Sequence, residues 1–168
     1  MPFRRRSVLA LPGLAIFAAV LIIPTVNAHA EANAAFSLLN GSWSGSGQMR
    51  LEGGRTENLR CRASYTDRNN GSSLGISLRC ASASSKVDLR ANLKASAGTR
   101  VSGQWEEREF STGGNASGTA SGNHVSLAIS GDLLTGSMSV TTNGARQSVS
   151  ITTHNVSLKG IQIALARD

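Results

Sequence analysis

Aromatic side chains are scarce in this sequence: phenylalanine, tryptophan and tyrosine together make up 4% of its 168 residues. Cysteine and histidine are rarer still, with two and three copies. The two cysteines lack C-x-x-C spacing and have no histidine nearby, so a redox-active pair or a thiolate metal site is not indicated. The lack of exposed aromatic positions argues against nucleic acid as a partner, because binding single strands relies on base stacking.

Support for a catalytic site is weak. H-E-x-x-H does not occur, and G-x-S-x-G occurs once, at residues 71–75, where no helix is predicted to follow the serine as a nucleophile elbow requires. His124 and His154 each stand beside a predicted turn. In the acidic group Glu106, Glu107 and Glu109, only the last two share a face of a strand, since neighbouring strand residues point to opposite sides. We therefore expect no enzymatic activity, no metal and no cofactor.

The first 30 residues are typical of a secretory signal peptide. Residues 4–6 are arginines, residues 8–23 form an apolar run, and residues 28–30 read A-x-A. We expect cleavage after Ala30 and export to an oxidising compartment, either the periplasm or the outside of the cell. An uncleaved membrane anchor is the alternative, although the apolar run is short for a spanning helix.

The net charge depends on this segment. The whole chain carries 17 basic and 10 acidic residues, and the three arginines of residues 4–6 account for part of the excess. Without them the balance is 14 to 10, a net charge of +4 that arises mainly between residues 50 and 108. This modest excess favours anionic partners.

The clearest structural signal is a β-hairpin within residues 59–82. Asn70-Gly71 favours a type I′ turn, because both central positions of that turn need φ > 0. With this dipeptide as the loop, Cys61 faces Cys80, and apolar and polar residues alternate along both strands. Export permits a disulfide. The sequence therefore predicts a structural Cys61–Cys80 bridge.

Two further turn signals follow in the second half. A turn at Gly122-Asn123 brings Ala116 opposite Ile129, and a turn at Asn143-Gly144 brings Met138 opposite Val149. Both predictions assume that the named dipeptide forms the two-residue loop.

The same alternation runs through most of the remaining chain and predicts about ten short strands. Residues 31–40 are expected to form an N-terminal arm or a single helical turn, and residues 41–168 one β domain. An up-and-down antiparallel β-barrel removes the exposed edges that an open sheet of this size would have. A β-sandwich is the alternative.

Several short patterns carry a resemblance: G-x-W-x-G-x-G from Gly41, R-C-R-A-x-Y at residues 60–65, L-R-C-A-S at residues 78–82 and S-G-x-W-x-E at residues 102–107. Together they resemble a family of small exported alphaproteobacterial proteins without an assigned activity. That resemblance implies export and a disulfide. Gly41-Ser42-Trp43 after a short arm is similar to the opening of lipocalins, which implies that Arg167 packs over Trp43.

The inner face of the barrel is the first candidate site. It alternates small and large residues, so the barrel either packs solid or encloses a cavity for a lipid-like ligand. The candidate lining residues are Trp43, Tyr65, Leu78, Leu89, Trp105 and Met138.

The outer face of the first half is the second candidate site. In the predicted register Arg62 stands opposite Arg79, and like charges so placed are unfavourable without an acid or an anion between them. The candidate anion-binding residues are Arg60, Arg62, Arg79, Arg90 and Lys94. An ordinary solvated face is the alternative.

These features favour a monomeric periplasmic protein that binds an apolar or amphipathic molecule, or an anionic lipid or glycolipid of the cell envelope. The alternatives are a structural or protein-binding envelope protein with a solid core, an outer-membrane barrel and an enzyme.

Overall fold

Residues 30–168 are described by a computed structural model, in which one helix precedes ten strands. The predicted signal peptide lies outside the described residues except for Ala30, where the helix begins. The elements are α1 (Ala30–Leu39), β1 (Gly41–Leu51), β2 (Thr56–Arg68), β3 (Ser73–Ala81), β4 (Lys86–Ala95), β5 (Arg100–Glu107), β6 (Thr112–Ser121), β7 (His124–Gly131), β8 (Thr135–Asn143), β9 (Arg146–His154) and β10 (Leu158–Arg167). A short 3₁₀ segment, Glu52–Gly54, follows β1.

The ten strands form a closed antiparallel barrel. Each strand pairs with its neighbours in the chain, and β1 pairs with β10 from Trp43 opposite Arg167 to Leu51 opposite Leu158. Closure leaves no strand edge unpaired, which is the physical advantage that this topology has over an open sheet. The predicted up-and-down barrel is confirmed, and the sandwich alternative is wrong.

The hairpin of β2 and β3 has the predicted register. Cys61 lies opposite Cys80 and forms a disulfide with it. At the tip, the backbone N–H of Ser72 donates to the carbonyl of Asn69 at 3.3 Å. Asn70 and Gly71 have φ values of 55° and 83°, as a type I′ turn requires.

The predicted register is correct for one of the two later hairpins and wrong for the other. Ala116 lies opposite Ile129, as predicted. Met138, however, lies opposite Ile151 and not Val149, so this predicted register was wrong by two residues. The loop between β8 and β9 is Gly144-Ala145, and Gly144 takes its positive φ of 59° at the first central position. Glycine at the first central position suits a type II′ turn, so the loop begins at Gly144 and Asn143 is the last residue of β8.

The apolar face of each strand points into the barrel and forms a single core. Glycines on this face do not simply add space. A Cβ atom on Gly103 would lie 1.9 Å from the carbonyl oxygen of Asn92, and one on Gly45 would lie 2.1 Å from that of Ala164. These glycines allow neighbouring backbones to approach closely, as a tightly curved barrel requires.

The N-terminal arm is a full helix rather than a single turn. Ala32, Ala35, Phe36 and Leu39 are buried, with a spacing that places all four on one face. This face packs on β2, β3 and β6 and covers the end of the barrel where β1 begins and β10 ends, here called the helix end. Within residues 30–168, no helix is both long and apolar enough to cross a membrane.

Candidate functional site

At the helix end, a tryptophan and an arginine bind the C-terminal end of α1. Trp43 is fully buried, and its indole N–H donates to the carbonyl of Leu39 at 2.8 Å. The guanidinium of Arg167 lies over the Trp43 ring, 4.2 Å from the ring centre, and donates to the carbonyls of Leu38 and Asn40. The carbonyls of Leu38 and Leu39, the last two of α1, thereby gain donors that the helix itself cannot supply.

A buried polar network lies in the same half of the barrel. The hydroxyl of Tyr65 donates to the side-chain oxygen of Gln147 at 2.7 Å, and the amide of Gln147 donates to Thr142 at 3.4 Å. All three residues are buried. Burial raises the pKa of Tyr65 well above its ordinary value, because the phenolate would lose its water. This network connects β2, β8 and β9.

A cavity of about 400 Å³ occupies the other half of the barrel. It opens at the end opposite α1, here called the mouth, where the loops after β1, β3, β5, β7 and β9 lie. Side chains from β4 to β10 surround it, and most of them are apolar. Those that define its depth are Leu89, Trp105, Ala116, Leu127, Met138 and Ile161.

Three polar side chains that line the cavity, those of Glu107, Trp105 and Thr153, have hydrogen-bond partners within the protein. Both carboxylate oxygens of Glu107 accept backbone N–H groups, one from Asp88 and one from Phe110, each at 2.7 Å. The Trp105 indole N–H donates to the carbonyl of Ser130 at 3.3 Å, and the Thr153 hydroxyl donates to a backbone carbonyl. Glu107, the charged residue of the lining, ends β5 at the mouth, so the deep part of the cavity offers a bound molecule mainly apolar contacts.

Two large apolar side chains stand exposed at the mouth. Phe110 follows β5 and is 62% exposed, and Leu133 follows β7 and is 59% exposed. Both also line the cavity, so its apolar surface continues onto the rim. Glu107 holds the Phe110 loop in place through the hydrogen bond to the Phe110 N–H.

Elsewhere at the mouth a hydroxyl cluster surrounds a carboxylate. Ser82 donates to Glu57 at 2.6 Å, and Ser84 donates to it at 2.7 Å. These hydrogen bonds, first from Ser82 and then from Ser84, hold the pKa of Glu57 below its ordinary value. The cluster joins β2 to the β3–β4 loop and lies apart from the cavity lining.

The structure separates the six predicted cavity residues into two groups. Leu89, Trp105 and Met138 line the cavity. The other three are buried but do not line it. Trp43 binds the end of α1, and Tyr65 belongs to the polar network. Leu78 packs in the barrel wall between its cross-strand partners Ala63 and Leu89.

The sequence reasoning missed the rim. Phe110 ends the charged run E-E-R-E-F, and a large apolar residue beside such a run in a turn is the signal that would have revealed it. Leu133 lies in the loop between β7 and β8, which begins at Thr135. Both residues are exposed because the turns carry them beyond the last strand pairs.

The basic residues lie on the outer face of β2, β3 and β4, as predicted. Arg62 is the direct partner of Arg79. Asp88 forms ion pairs with Arg79 at 3.4 Å and with Arg90 at 3.5 Å. Lys94 lies on the same face but nearer the helix end, opposite Ser73. Across residues 31–168 no group of three or more His, Cys, Asp or Glu side chains is placed to hold a metal ion.

No protein-family model matches the chain, and no curated protein sequence does. Among solved structures it is similar to Rv2717c from M. tuberculosis, with a TM-score of 0.64, 18% identity, and coverage of 82% of this chain and 97% of that chain. It is also similar to the S-type phycobiliprotein lyase CPES from Guillardia theta, with a TM-score of 0.56, 12% identity, and coverage of 86% of this chain and 96% of that one. At these identities the likeness shows the barrel fold.

Proposed function

We propose that this protein is an exported periplasmic binding protein that holds a small apolar or amphipathic, lipid-like molecule in the barrel cavity and catalyses no reaction on it. The observation that carries the proposal is the cavity itself. Its volume of about 400 Å³ lies within the range of small-molecule sites, and its lining is apolar. A barrel with a solid core would have no such space.

The cavity also indicates how such a molecule would bind. A charged group placed deep inside would lose its water without meeting an ion-pair partner, because Glu107, the charged residue of the lining, ends β5 at the mouth. An apolar chain or ring meets no such penalty. We therefore infer that the apolar part of the ligand enters first and that any polar group stays at the mouth, near Phe110 and Leu133.

The first test is native mass spectrometry of the mature protein purified from periplasm without detergent, followed by organic extraction. We expect an extra mass that disappears on extraction and whose released molecule is predominantly apolar. If the purified protein carries no extra mass and also fails to bind an added apolar probe, the proposal is overturned in favour of a structural role.

A matched pair of variants locates the site. Ala116 lines the cavity, whereas Ala128 lies on the adjacent strand and is exposed on the outer face. Ala116→Phe fills part of the cavity, and Ala128→Phe adds the same side chain outside it. With the uncharged fluorescent probe N-phenyl-1-naphthylamine, we expect Ala116→Phe to weaken binding about tenfold, the loss of ~1.4 kcal/mol of contacts.

The Ala128→Phe variant should bind the probe as the wild type does. Circular dichroism of both variants checks that the barrel is intact. Equal probe affinity for Ala116→Phe and the wild type would place the probe elsewhere and count against the cavity.

A further inference from the structure

The outer face of β2, β3 and β4, here called the basic wall, has a charge pattern that the barrel does not need for its stability. Its outward positions carry one acid, Asp88, and seven basic residues: Arg60, Arg62, Arg68, Arg79, Lys86, Arg90 and Lys94. The outward positions of β6 to β9 are mainly serine, threonine and asparagine, with Arg146 as the single charged residue. An uncharged outer wall is therefore compatible with this fold, and the clustered cations call for another explanation.

Three of these cations surround an alanine. Arg60, Ala81 and Lys86 are cross-strand partners in one row, and Arg79 precedes Ala81 by two residues on the same face. Strands lie about 4.8 Å apart, so the backbones of Arg60 and Lys86 are about 10 Å apart with only a methyl group between them. The space above Ala81, here called the Ala81 seat, is thus within reach of two guanidinium groups and an ammonium group.

The seat lies in a groove with a floor of small residues. The groove has a volume of about 850 Å³, and Ser44, Gly45, Ser46 and Ala81 contribute to its lining. Gly45 and Ala81 are both exposed. No bulky side chain from β1 or β3 therefore covers the cations.

Acidic groups neutralise the seat only in part, since in the described part of the chain Arg79 has an acidic partner and Arg60 and Lys86 have none within 4.0 Å. Asp88 is already shared between Arg79 and Arg90. Within residues 31–168, no ion pair within 4.0 Å joins Arg60, Arg62 or Lys86 to a carboxylate. Glu109 also borders the groove, and at its other edge the Asp168 carboxylate accepts a hydrogen bond from Ser44.

We propose that the Ala81 seat is a binding site for a phosphate group, separate from the barrel cavity. An anion there would bridge Arg60 and Lys86 and relieve the repulsion between Arg79 and Arg62, which are direct cross-strand partners. Guanidinium groups match the oxygens of phosphate with paired hydrogen bonds, and an ammonium group adds a third donor. A phosphomonoester lipid headgroup and free phosphate present the same chemistry.

The test uses vesicles of phosphatidylcholine with and without phosphatidic acid, at neutral pH and about 0.1 M salt, where distant charges are screened. We expect the mature protein to sediment with the phosphatidic acid vesicles and not with phosphatidylcholine alone. Calorimetric titration with inorganic phosphate forms the second arm. Phosphate binding without vesicle retention assigns the site to a soluble phosphate, and vesicle retention assigns it to a lipid headgroup. Binding in neither arm overturns the proposal.

Two double variants that remove the same charge distinguish binding at the Ala81 seat from attraction to the whole basic wall. Arg60→Ser with Lys86→Ser removes two cations at the seat. The control pair, Arg68→Ser with Lys94→Ser, removes two cations that flank Ser73 as Arg60 and Lys86 flank Ala81. This row lacks a third cation, because the residue two positions from Ser73 on the same face is Gly75. We expect the first pair to weaken binding about tenfold and the second less than about twofold. Equal losses would show diffuse attraction to the whole wall and would contradict a seat.

A third variant, Ala81→Leu, changes no charge and fills the seat. Ala81 is exposed, so the variant should fold normally, with a melting temperature close to that of the wild type. We expect it to lose binding as the Arg60→Ser with Lys86→Ser pair does. Full retention of binding by this variant would also overturn the proposal.

Discussion

The two ends of the barrel differ in how they are covered. At the helix end, α1 buries an apolar face in the opening, and Trp43 and Arg167 bind its last carbonyls. At the mouth, short loops surround an apolar cavity, and Phe110 and Leu133 stay exposed. The helix end therefore buries most of its apolar surface under α1, with Leu38 exposed, and the mouth leaves an apolar cavity and rim for another molecule to cover.

This difference separates stability from binding within one sheet. Side chains at the helix end have close neighbours on all sides, so removing one leaves a hole that the structure cannot easily refill. Side chains at the mouth border a space that already exists. Substitutions there should disturb a bound molecule more than they disturb the fold.

The largest expected effect is at Trp43. Trp43→Ala removes the indole that packs under Arg167 and leaves the Leu39 carbonyl without its donor. We expect the free energy of unfolding to fall by ~3–5 kcal/mol in urea denaturation. Trp105→Ala is the control at the other end, since Trp105 already borders the cavity. A loss for Trp105→Ala as large as that for Trp43→Ala would contradict the contrast between the two ends.

Tyr65 gives a pH-dependent test of the helix end. The folded protein keeps the phenol proton to a higher pH than the unfolded chain does, so the contribution is complete below pH ~10 and is lost above it. We expect the free energy of unfolding to fall by ~1.4 kcal/mol per pH unit above that point from this group. Tyr65 is the only tyrosine in the chain, so its absorbance titration reports this residue alone.

Tyr65→Phe is the control for this prediction. It leaves the Gln147 oxygen without its donor, which costs ~1–3 kcal/mol at neutral pH. It should also make the alkaline fall in stability shallower than in the wild type. An unchanged slope would mean that other groups, such as lysines, cause the fall.

The smallest effect on stability is expected at the rim. Phe110→Ser removes an apolar group that is already 62% exposed, and Leu38→Ser does the same on α1, where Leu38 is 48% exposed. Each variant should change the free energy of unfolding by less than ~0.5 kcal/mol. Only Phe110→Ser should weaken binding of N-phenyl-1-naphthylamine, because only Phe110 lines the cavity. Equal probe binding by the two variants would remove the rim from the site.

Turn chemistry shows how far local sequence determines register. Asn70-Gly71 occupied the two central positions of its turn, so the opposition of Cys61 and Cys80 was predicted correctly. Asn143-Gly144 is the same dipeptide, yet its loop lies one residue later. Type I′ and type II′ turns both accept glycine, and which of them forms depends on how the flanking strands pair with the rest of the sheet.

The sequence by itself determined which residues face inward, because alternation along a strand is a local property with a period of two. It placed Trp43, Tyr65 and Leu78 on the same inner face as Leu89, Trp105 and Met138. Only the tertiary structure decided their height along the barrel. That height depends on strand stagger and on which end α1 fills, and both are set by contacts between residues far apart in the chain. The location of the cavity therefore became visible only with the closed barrel.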